Sequence, residues 1–294
     1  MKLLLVRSVM RILSWITPPV AEKITPPLAA IIWFLSPDKR RVTLINLKAV
    51  YPDLSPGERE KIARASMVHY VRGIFEAGMV WHWPMDRILA CFDEIVGREH
   101  YESAKSFGRG VIFASIHGGA WELSGLYMQS ELDGSILYKP GPHADIEAML
   151  VKKRGKGGAR FIPTNKAGIK TTYQNLQAGE TVAMVMDQEP SRGGGQFAPL
   201  FGVEALSGVF VPRLVQRTGA KVVFAVCERR RGGRYRIHLF NADDAMYAED
   251  MRAALTAMNH GVEQCIEVDT EQYLWAYRRF RNRPGGEKGF YKAL

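Results

Sequence analysis

The chain has 294 residues, of which 47% are hydrophobic and 24% charged, and its formal net charge is +10. This length supplies a large core in one big domain or two small ones, and the absence of any internal repeat or low-complexity block excludes a repeat array. The excess of positive charge favours an anionic partner, which could be nucleic acid, acidic membrane lipid or an acidic protein.

The N-terminal 36 residues predict a segment that associates with a membrane. Arg7 and Arg11 are interleaved with apolar residues, as in a basic amphipathic helix lying in a membrane interface. We expect the proline pairs at 18–19 and 26–27 to break this segment. The apolar run Leu28–Leu35 is too short to span a bilayer, which takes about 20 apolar residues. The alternatives are a signal peptide, for which no convincing cleavage site precedes the prolines, and an ordinary helical pair that covers the core.

The rest of the chain predicts an α/β fold. Ser55–Glu58 reads as a capping box with proline at the first helical position, and the helix that it opens is expected to run to about Trp83. Strand patterns follow at 111–116, 135–138, 160–163, 181–186, 222–227 and 235–239, and helix patterns at 121–130, 144–154, 167–177 and 208–217. This alternation predicts a central, mostly parallel sheet flanked by helices, with an antiparallel hairpin as its last strand pair. We therefore expect a membrane-associating helical segment at 1–40 and a single α/β domain at 41–294.

The first of these strands leads into a candidate catalytic motif. His117 ends the apolar run, and Glu122 follows five residues later, at the start of the next predicted helix. Histidine exchanges a proton near neutral pH, and a carboxylate on its other nitrogen would hold the useful tautomer. Gly118 and Gly119 are expected to let a substrate come close. The motif therefore indicates deprotonation of a hydroxyl that attacks an activated acyl group, although a histidine satisfied at the rim of the core is the simpler alternative.

A second strand also ends in chemically useful residues. Asp187 and Gln188 follow the strand predicted at 181–186, and functional groups in such folds gather at the C-terminal ends of strands. The glycine-rich loop at 191–195 comes next, and it could be a lid or only a mobile turn. The coincidence of two such strand ends is the main support from the residues themselves for a site.

The basic clusters and the cysteines favour simpler interpretations. The cluster at 152–156, which includes Arg154, is typical of a solvated helix end, although a fixed guanidinium could also hold a phosphate or an oxyanion. The arginines at 229–234 and 278–283 make nucleic acid a rival partner, but no nucleic-acid module is present. Cys91, Cys227 and Cys265 have no paired spacing, so we expect unpaired thiols in a reducing compartment. The scattered histidines give no metal site.

Four motifs in order carry a resemblance to a known family. They are Asn46-Leu47 to Tyr51-Pro52 with Ser55 to Arg59, then His117 to Glu122, then Asp187-Gln188 with Phe197 to Gly202, and last Gln272 to Gly286. In this order they resemble the bacterial lipid A late acyltransferases of the lauroyl and myristoyl type, within the lysophospholipid acyltransferase superfamily. The likeness extends from about Asn46 to Gly286, which is nearly the whole chain.

The resemblance implies an α/β acyltransferase at the cytoplasmic face of the bacterial inner membrane. It would transfer a fatty acyl chain from an acyl carrier protein thioester to a lipid hydroxyl without a metal or organic cofactor. His117 would be the general base and Glu122 its orienting partner. Arg154 would help with the oxyanion or a phosphate, and Asp187 and Gln188 would lie at the edge of the site.

Three departures from the family pattern leave the acceptor open. Ala120 stands where asparagine is common, Lys139 stands in a Tyr-Lys-Pro run where Tyr-Arg-Pro is usual, and Tyr277 replaces a histidine. An acyltransferase of another glycolipid, a lysophospholipid or an aminolipid is therefore an alternative, as is a non-catalytic membrane-binding scaffold. Coenzyme A is an alternative donor.

Overall fold

A computed structural model describes residues 2–131, 134–141, 144–191, 193–286 and 289–291. The helices are α1 (Lys2–Leu13), α2 (Pro18–Leu35), α3 (Pro37–Val50), α4 (Pro56–His82), α5 (Met85–Leu89), α6 (Arg98–Ser106), α7 (Trp121–Glu131), α8 (Ala144–Arg154), α9 (Lys166–Gln177), α10 (Phe210–Thr218) and α11 (Met251–Glu267). The strands are β1 (Phe92–Val96), β2 (Val111–Gly119), β3 (Gly134–Tyr138), β4 (Arg160–Pro163), β5 (Thr181–Val185), β6 (Gly195–Leu200), β7 (Val203–Gly208), β8 (Lys221–Arg229) and β9 (Tyr235–Asn241).

The central sheet confirms the predicted α/β architecture. Seven strands lie in the order β1-β9-β8-β2-β5-β3-β4, and every neighbouring pair is parallel except the hairpin of β8 and β9. Helices cover both faces, because β2 contributes alternate side chains to two apolar clusters. Ile112 and Ala114 pack in one cluster, and Val111 and Phe113 in the other. The parallel arrangement brings the C-terminal ends of β2 and β5 side by side.

Helix α4 begins as the sequence predicts. The Ser55 side chain accepts a hydrogen bond from the backbone N–H of Glu58, and the Glu58 side chain accepts one from the Ser55 N–H at 2.7 Å. Proline occupies the first helical position, and the helix ends at His82 before Trp83. A hydrogen bond from the Trp83 indole to the Ser14 carbonyl ties the end of α4 to the end of α1.

The second proline pair does not break its helix, so that prediction was wrong. Helix α2 begins at the first pair and continues through Pro26 and Pro27 to Leu35. The two prolines lose backbone donors, but they lie on the exposed side of the helix. Ala29 and Trp33 on the opposite side are buried, and the helix packs against α4. This burial offsets the lost hydrogen bonds.

Sequence analysis missed three strands. The edge strand β1 has only one buried residue, Phe92, so it lacks a clear apolar pattern. The segment after the glycine-rich loop forms the antiparallel hairpin β6–β7, which is a separate two-stranded sheet. Gly193 and Gly194 make the turn into β6, whereas Arg192 of the same loop lies outside the described residues. Within the described part of the chain, no helix combines the length and the apolar character that crossing a membrane requires.

Candidate active site

The site is built on the neighbouring ends of β2 and β5. Ser115 pairs with Val185, and the Met186 N–H donates to the Ser115 carbonyl, so the next residues of the two strands emerge together. His117 Nδ1 lies 2.8 Å from Asp187 Oδ1, and the His117 backbone N–H donates to Asp187 Oδ2 at 3.1 Å. The Asp187 side chain is only 2% exposed, whereas that of His117 is 21% exposed. Asp187 therefore fixes both the ring and the backbone of a histidine that solvent can reach.

The carboxylate partner of His117 corrects the sequence prediction. Glu122 lies in the first turn of α7, where it accepts two hydrogen bonds from Arg154, the last residue of α8. The bond from Arg154 Nε to Glu122 Oε2 is 2.8 Å long, and Arg154 Nη2 donates to the other oxygen. A bidentate guanidinium pair is a strong, directional contact. Asp187 therefore holds the position predicted for Glu122, and Glu122 orients Arg154.

The His117–Asp187 contact sets the protonation of both groups. Burial by itself lowers the pKa of His117, but the negative charge of Asp187 and the hydrogen bond to it outweigh burial and raise that pKa above its ordinary value of 6.5. Burial raises the pKa of Asp187, and the charge and hydrogen bonds of His117 reverse this, so that the carboxyl pKa is lowered. The pair therefore holds an ionised aspartate beside a strengthened base.

Trp121 and Gln188 complete the surroundings of the ring. The Trp121 ring lies edge-on to His117 with 5.1 Å between centroids, and the Arg154 guanidinium lies 5.7 Å from the same indole. Trp121 therefore connects the His117–Asp187 pair to the Glu122–Arg154 pair. The side chain of Gln188 is exposed, and its amide nitrogen lies beside the ring, 3.3 Å from His117 Nδ1 and 3.4 Å from Nε2.

The two glycines after His117 serve the packing of the protein itself. Gly119 has a φ of 56°, and a Cβ there would lie 1.8 Å from the Cys227 carbonyl oxygen of β8. A Cβ on Gly118 would lie 2.8 Å from the Ile116 side chain. Because protein atoms fill this space, the structure corrects the prediction that these glycines make room for substrate. They allow β2 to turn into α7 against β8.

Residues 270–282, which we name the C-terminal strap, lie across the end of β2. The Leu274 N–H donates to the His117 carbonyl, and Tyr273 forms a β-bridge with Gly118. The Tyr277 hydroxyl accepts from the Glu189 N–H at 3.0 Å, which attaches the strap to the end of β5 as well. The strap therefore holds both strand ends that carry the site.

The basic runs are largely structural. Arg229 is buried and makes two hydrogen bonds to Glu76, and Arg234 bonds Asp93. Arg279 is also buried and donates to the Leu206 carbonyl and the Ser207 hydroxyl. These three arginines therefore serve contacts within the protein.

The three cysteines are unpaired, as the sequence predicts. Cys227 in β8 and Cys265 in α11 are buried, Cys91 is half-buried, and all three are free thiols. Burial raises the pKa of both the Cys227 and Cys265 thiols, which keeps them protonated. Among the described residues, no group of three or more His, Cys, Asp or Glu side chains is placed to hold a metal ion.

Sequence analysis named residues that the structure brings together, but not all of their contacts. It named His117, Glu122, Arg154, Asp187 and Gln188, and the structure brings all five together. It missed the contacts of Trp121 and of the strap residue Tyr273, although both lie in motifs that the resemblance uses. No spacing in the sequence shows that a segment so distant along the chain returns to the end of β2.

Comparison with known proteins identifies the family of this chain. Residues 2–282 match the family described as bacterial lipid A biosynthesis acyltransferase. The chain is 29% identical to the lipid A biosynthesis lauroyltransferase of Escherichia coli K12, with 84% of this chain and 81% of that protein covered. It is also 29% identical to the palmitoleoyltransferase of that strain, over 86% and 83% of the two chains, and 26% identical to its myristoyltransferase, over 94% and 86%. The chain belongs to the bacterial lipid A biosynthesis acyltransferase family and is an acyltransferase.

Proposed function

We propose that this enzyme transfers a fatty acyl group from an acyl carrier protein thioester to a hydroxyl of a lipid A precursor. The observation that carries the proposal is the partly exposed His117 ring held by buried Asp187, beside the Glu122–Arg154 pair, in a chain of this family. The positive net charge of the chain also suits an acidic carrier protein and anionic lipid.

In the proposed reaction, His117 acts as general base. Its Nδ1–H donates to Asp187, so the Nε2 lone pair takes the proton from the acceptor hydroxyl. The hydroxyl oxygen attacks the thioester carbonyl, and Arg154 stabilises the negative charge on the carbonyl oxygen. The carbon–sulfur bond then breaks, and the leaving thiolate takes the proton back from the imidazolium. Asp187 stabilises the imidazolium between these two transfers.

We further propose that residues 1–40 attach the enzyme to the cytoplasmic face of the inner membrane and that residues 41–294 form the acyltransferase domain. Nine of the fourteen exposed large apolar side chains in the described part of the chain fall between Leu4 and Leu35. Arg7, Arg11 and Lys23 are exposed on the same two helices, where they would meet anionic headgroups. Helix α3 spans the proposed boundary, so no flexible linker separates the two parts.

The direct test supplies radiolabelled acyl carrier protein thioester and lipid A precursor in mixed micelles. We expect a labelled lipid whose mass equals the precursor plus one acyl group, and a rate about 10²–10⁴ times lower with His117→Ala. Parallel reactions with acyl-coenzyme A show which donor the enzyme uses. Parallel reactions with total membrane lipid as acceptor show whether a different lipid is acylated. Normal turnover by His117→Ala, or no transfer from either donor to any lipid, would contradict the proposal.

A further inference from the structure

Val185 is an exposed apolar side chain in the interior of the sheet. It belongs to β5, which lies between β2 and β3, and it is 40% exposed. Interior strands of parallel sheets are normally covered by helices on both faces. Val185 is the last residue of β5, so its exposed side chain marks an apolar opening at the C-terminal end of this strand.

The opening lies beside the catalytic base. Ser115 and Val185 are register partners, and side chains two residues apart on a strand point to the same face. His117 and Asp187 follow these partners by two residues, which is a distance of about 7 Å along each strand. Val185 therefore lies on the face of the sheet that carries the His117 ring.

The same face stays uncharged toward the edge of the sheet. Ile136 of β3 is the register partner of Ala183, and the half-buried Tyr138 follows it on the same face. Phe161 of β4 pairs with Ile136, and its ring centroid lies 5.9 Å from that of Tyr138. We name Val185, Ile136, Tyr138 and Phe161 the apolar floor.

A charged pair also lies near the base. Glu122 is bonded to Arg154, whose guanidinium lies 5.7 Å from the Trp121 ring that is edge-on to His117. The Tyr138 hydroxyl is bound by Glu147 of α8 at 2.9 Å, so the phenol group is satisfied and its ring remains as an apolar surface. A hydrocarbon chain that starts at His117 therefore meets an uncharged surface in the direction of β5 and β3.

We propose that the apolar floor binds the acyl chain of the thioester donor, with the carbonyl at His117 and the hydrocarbon over Val185 toward β4. This inference rests on the proposed function for the donor's identity. The acyl carbonyl must reach a hydroxyl held at His117 Nε2, so the first carbons of the chain lie next to the base. The chain is uncharged, and it leaves water on contact with Val185 and the rings.

A binding experiment tests the floor without any turnover. The probe is cis-parinaric acid, a fluorescent fatty acid, titrated into the wild-type enzyme, Val185→Asp and Val96→Asp. Val96, at the edge of the sheet on β1, is 41% exposed and provides a matched control. We expect Val185→Asp to weaken probe binding at least about tenfold, because the new carboxylate must be desolvated beneath the chain. Equal binding by all three proteins would overturn the proposal.

A chain-length experiment then identifies which acyl chain uses the floor. Saturated donors of eight to sixteen carbons are compared for wild type and Val185→Phe, with thermal unfolding as a check of folding. The larger side chain should lower kcat/KM for the long donors at least about tenfold relative to the short donors, with no change in the KM for the acceptor. A raised acceptor KM with an equal loss for all donors would overturn the donor assignment. If wild type transfers no acyl group, the proposed function fails, and the probe titration still decides whether the floor binds hydrocarbon.

Discussion

At the residue scale, the site consists of two carboxylates with different partners. Asp187 is bonded to the ring and backbone of His117, whereas Glu122 is bonded to Arg154. The two carboxylates have different surroundings as well, since the Asp187 side chain is 2% exposed and that of Glu122 is 15% exposed. Each carboxylate is therefore matched to the group that it orients.

Substitution distinguishes these two roles. Asp187→Asn should reduce kcat by about 10²–10⁴-fold, because an amide neither stabilises the imidazolium nor requires the productive tautomer. Glu122→Gln removes the charge opposite Arg154 but leaves the contacts of His117 in place, so we expect a smaller reduction in kcat than for Asp187→Asn. Steady-state kinetics of the two isosteric variants measures the difference. A larger effect of Glu122→Gln would return the orienting role to Glu122.

The pH dependence of the reaction follows from the raised pKa of His117. A general base must be unprotonated, so activity is lost as the pH falls through this pKa. Because the folded enzyme holds the pKa above 6.5, the acid limb of the kcat/KM profile should have its midpoint above pH 6.5. Asp187→Asn should shift the acid limb of the residual activity to lower pH, because it removes the charge that raises the pKa of His117. A midpoint below 6.5 in the wild-type enzyme would contradict the assignment of His117 as base.

The sequence identified these residues but could not assign their contacts. The motif places Glu122 close to His117 along the chain, which made it the natural partner before the strand order was known. Asp187 reaches His117 only because β5 pairs with β2, and this pairing depends on packing across the whole sheet. The positions of strand ends could be predicted from local apolar runs, whereas the order of the strands in the sheet could not.

At the scale of single elements, the turn from β2 into α7 is the most constrained. Gly119 combines a positive φ with a close approach to the β8 backbone. Ala120 then donates its N–H to the Cys227 carbonyl at 2.8 Å and precedes α7 directly. The direction in which α7 leaves the sheet, and with it the position of Glu122, depends on this glycine.

Gly119→Ala should therefore destabilise the fold and reduce activity together. The added Cβ would overlap the Cys227 carbonyl oxygen, so we expect a loss of at least about 2 kcal/mol in the free energy of unfolding. Gly125→Ala within α7 is the matched control, because its Cβ meets no atom within 4 Å and alanine favours a helix. Urea denaturation of both variants measures the change. Equal stability of the two variants would show that the turn tolerates a side chain.

Long patterned elements were predictable, and elements that depend on tertiary contacts were not. Six strands and the capped helix α4 were predicted, because each strand has its own apolar pattern and the helix has its own cap. Helix α2 continues through Pro26 and Pro27 because its small residues and Trp33 pack on α4, a contact that local propensity does not contain. The hairpin β6–β7 was hidden because its strands alternate weakly between buried and exposed residues.

At the scale of the whole molecule, the exposed apolar side chains are distributed unevenly. Trp15, Phe34 and Leu35 are at least two-thirds exposed, and all three belong to the N-terminal part of the chain. An apolar surface of this kind is unusual in a protein surrounded only by water. The unequal distribution supports the proposed membrane attachment through α1 and α2.

Vesicle flotation tests this attachment. Trp15→Glu and Phe34→Glu should each lower partitioning into phosphatidylglycerol-containing vesicles at least about tenfold, because each removes a large apolar side chain from the interface. Phe107→Glu is the control, since Phe107 is 57% exposed at the end of α6, outside the N-terminal helices. Equal partitioning of all variants would contradict the proposed attachment.

The strap also has a consequence for biosynthesis. The carbonyl of His117 receives its backbone donor from Leu274, which the ribosome adds long after β2 and β5 have emerged. A nascent chain can therefore pair the strands of the sheet and attach its N-terminal helices while its base is still incompletely held. We therefore expect catalysis by a nascent chain only after Leu274 has been synthesised and has reached the end of β2.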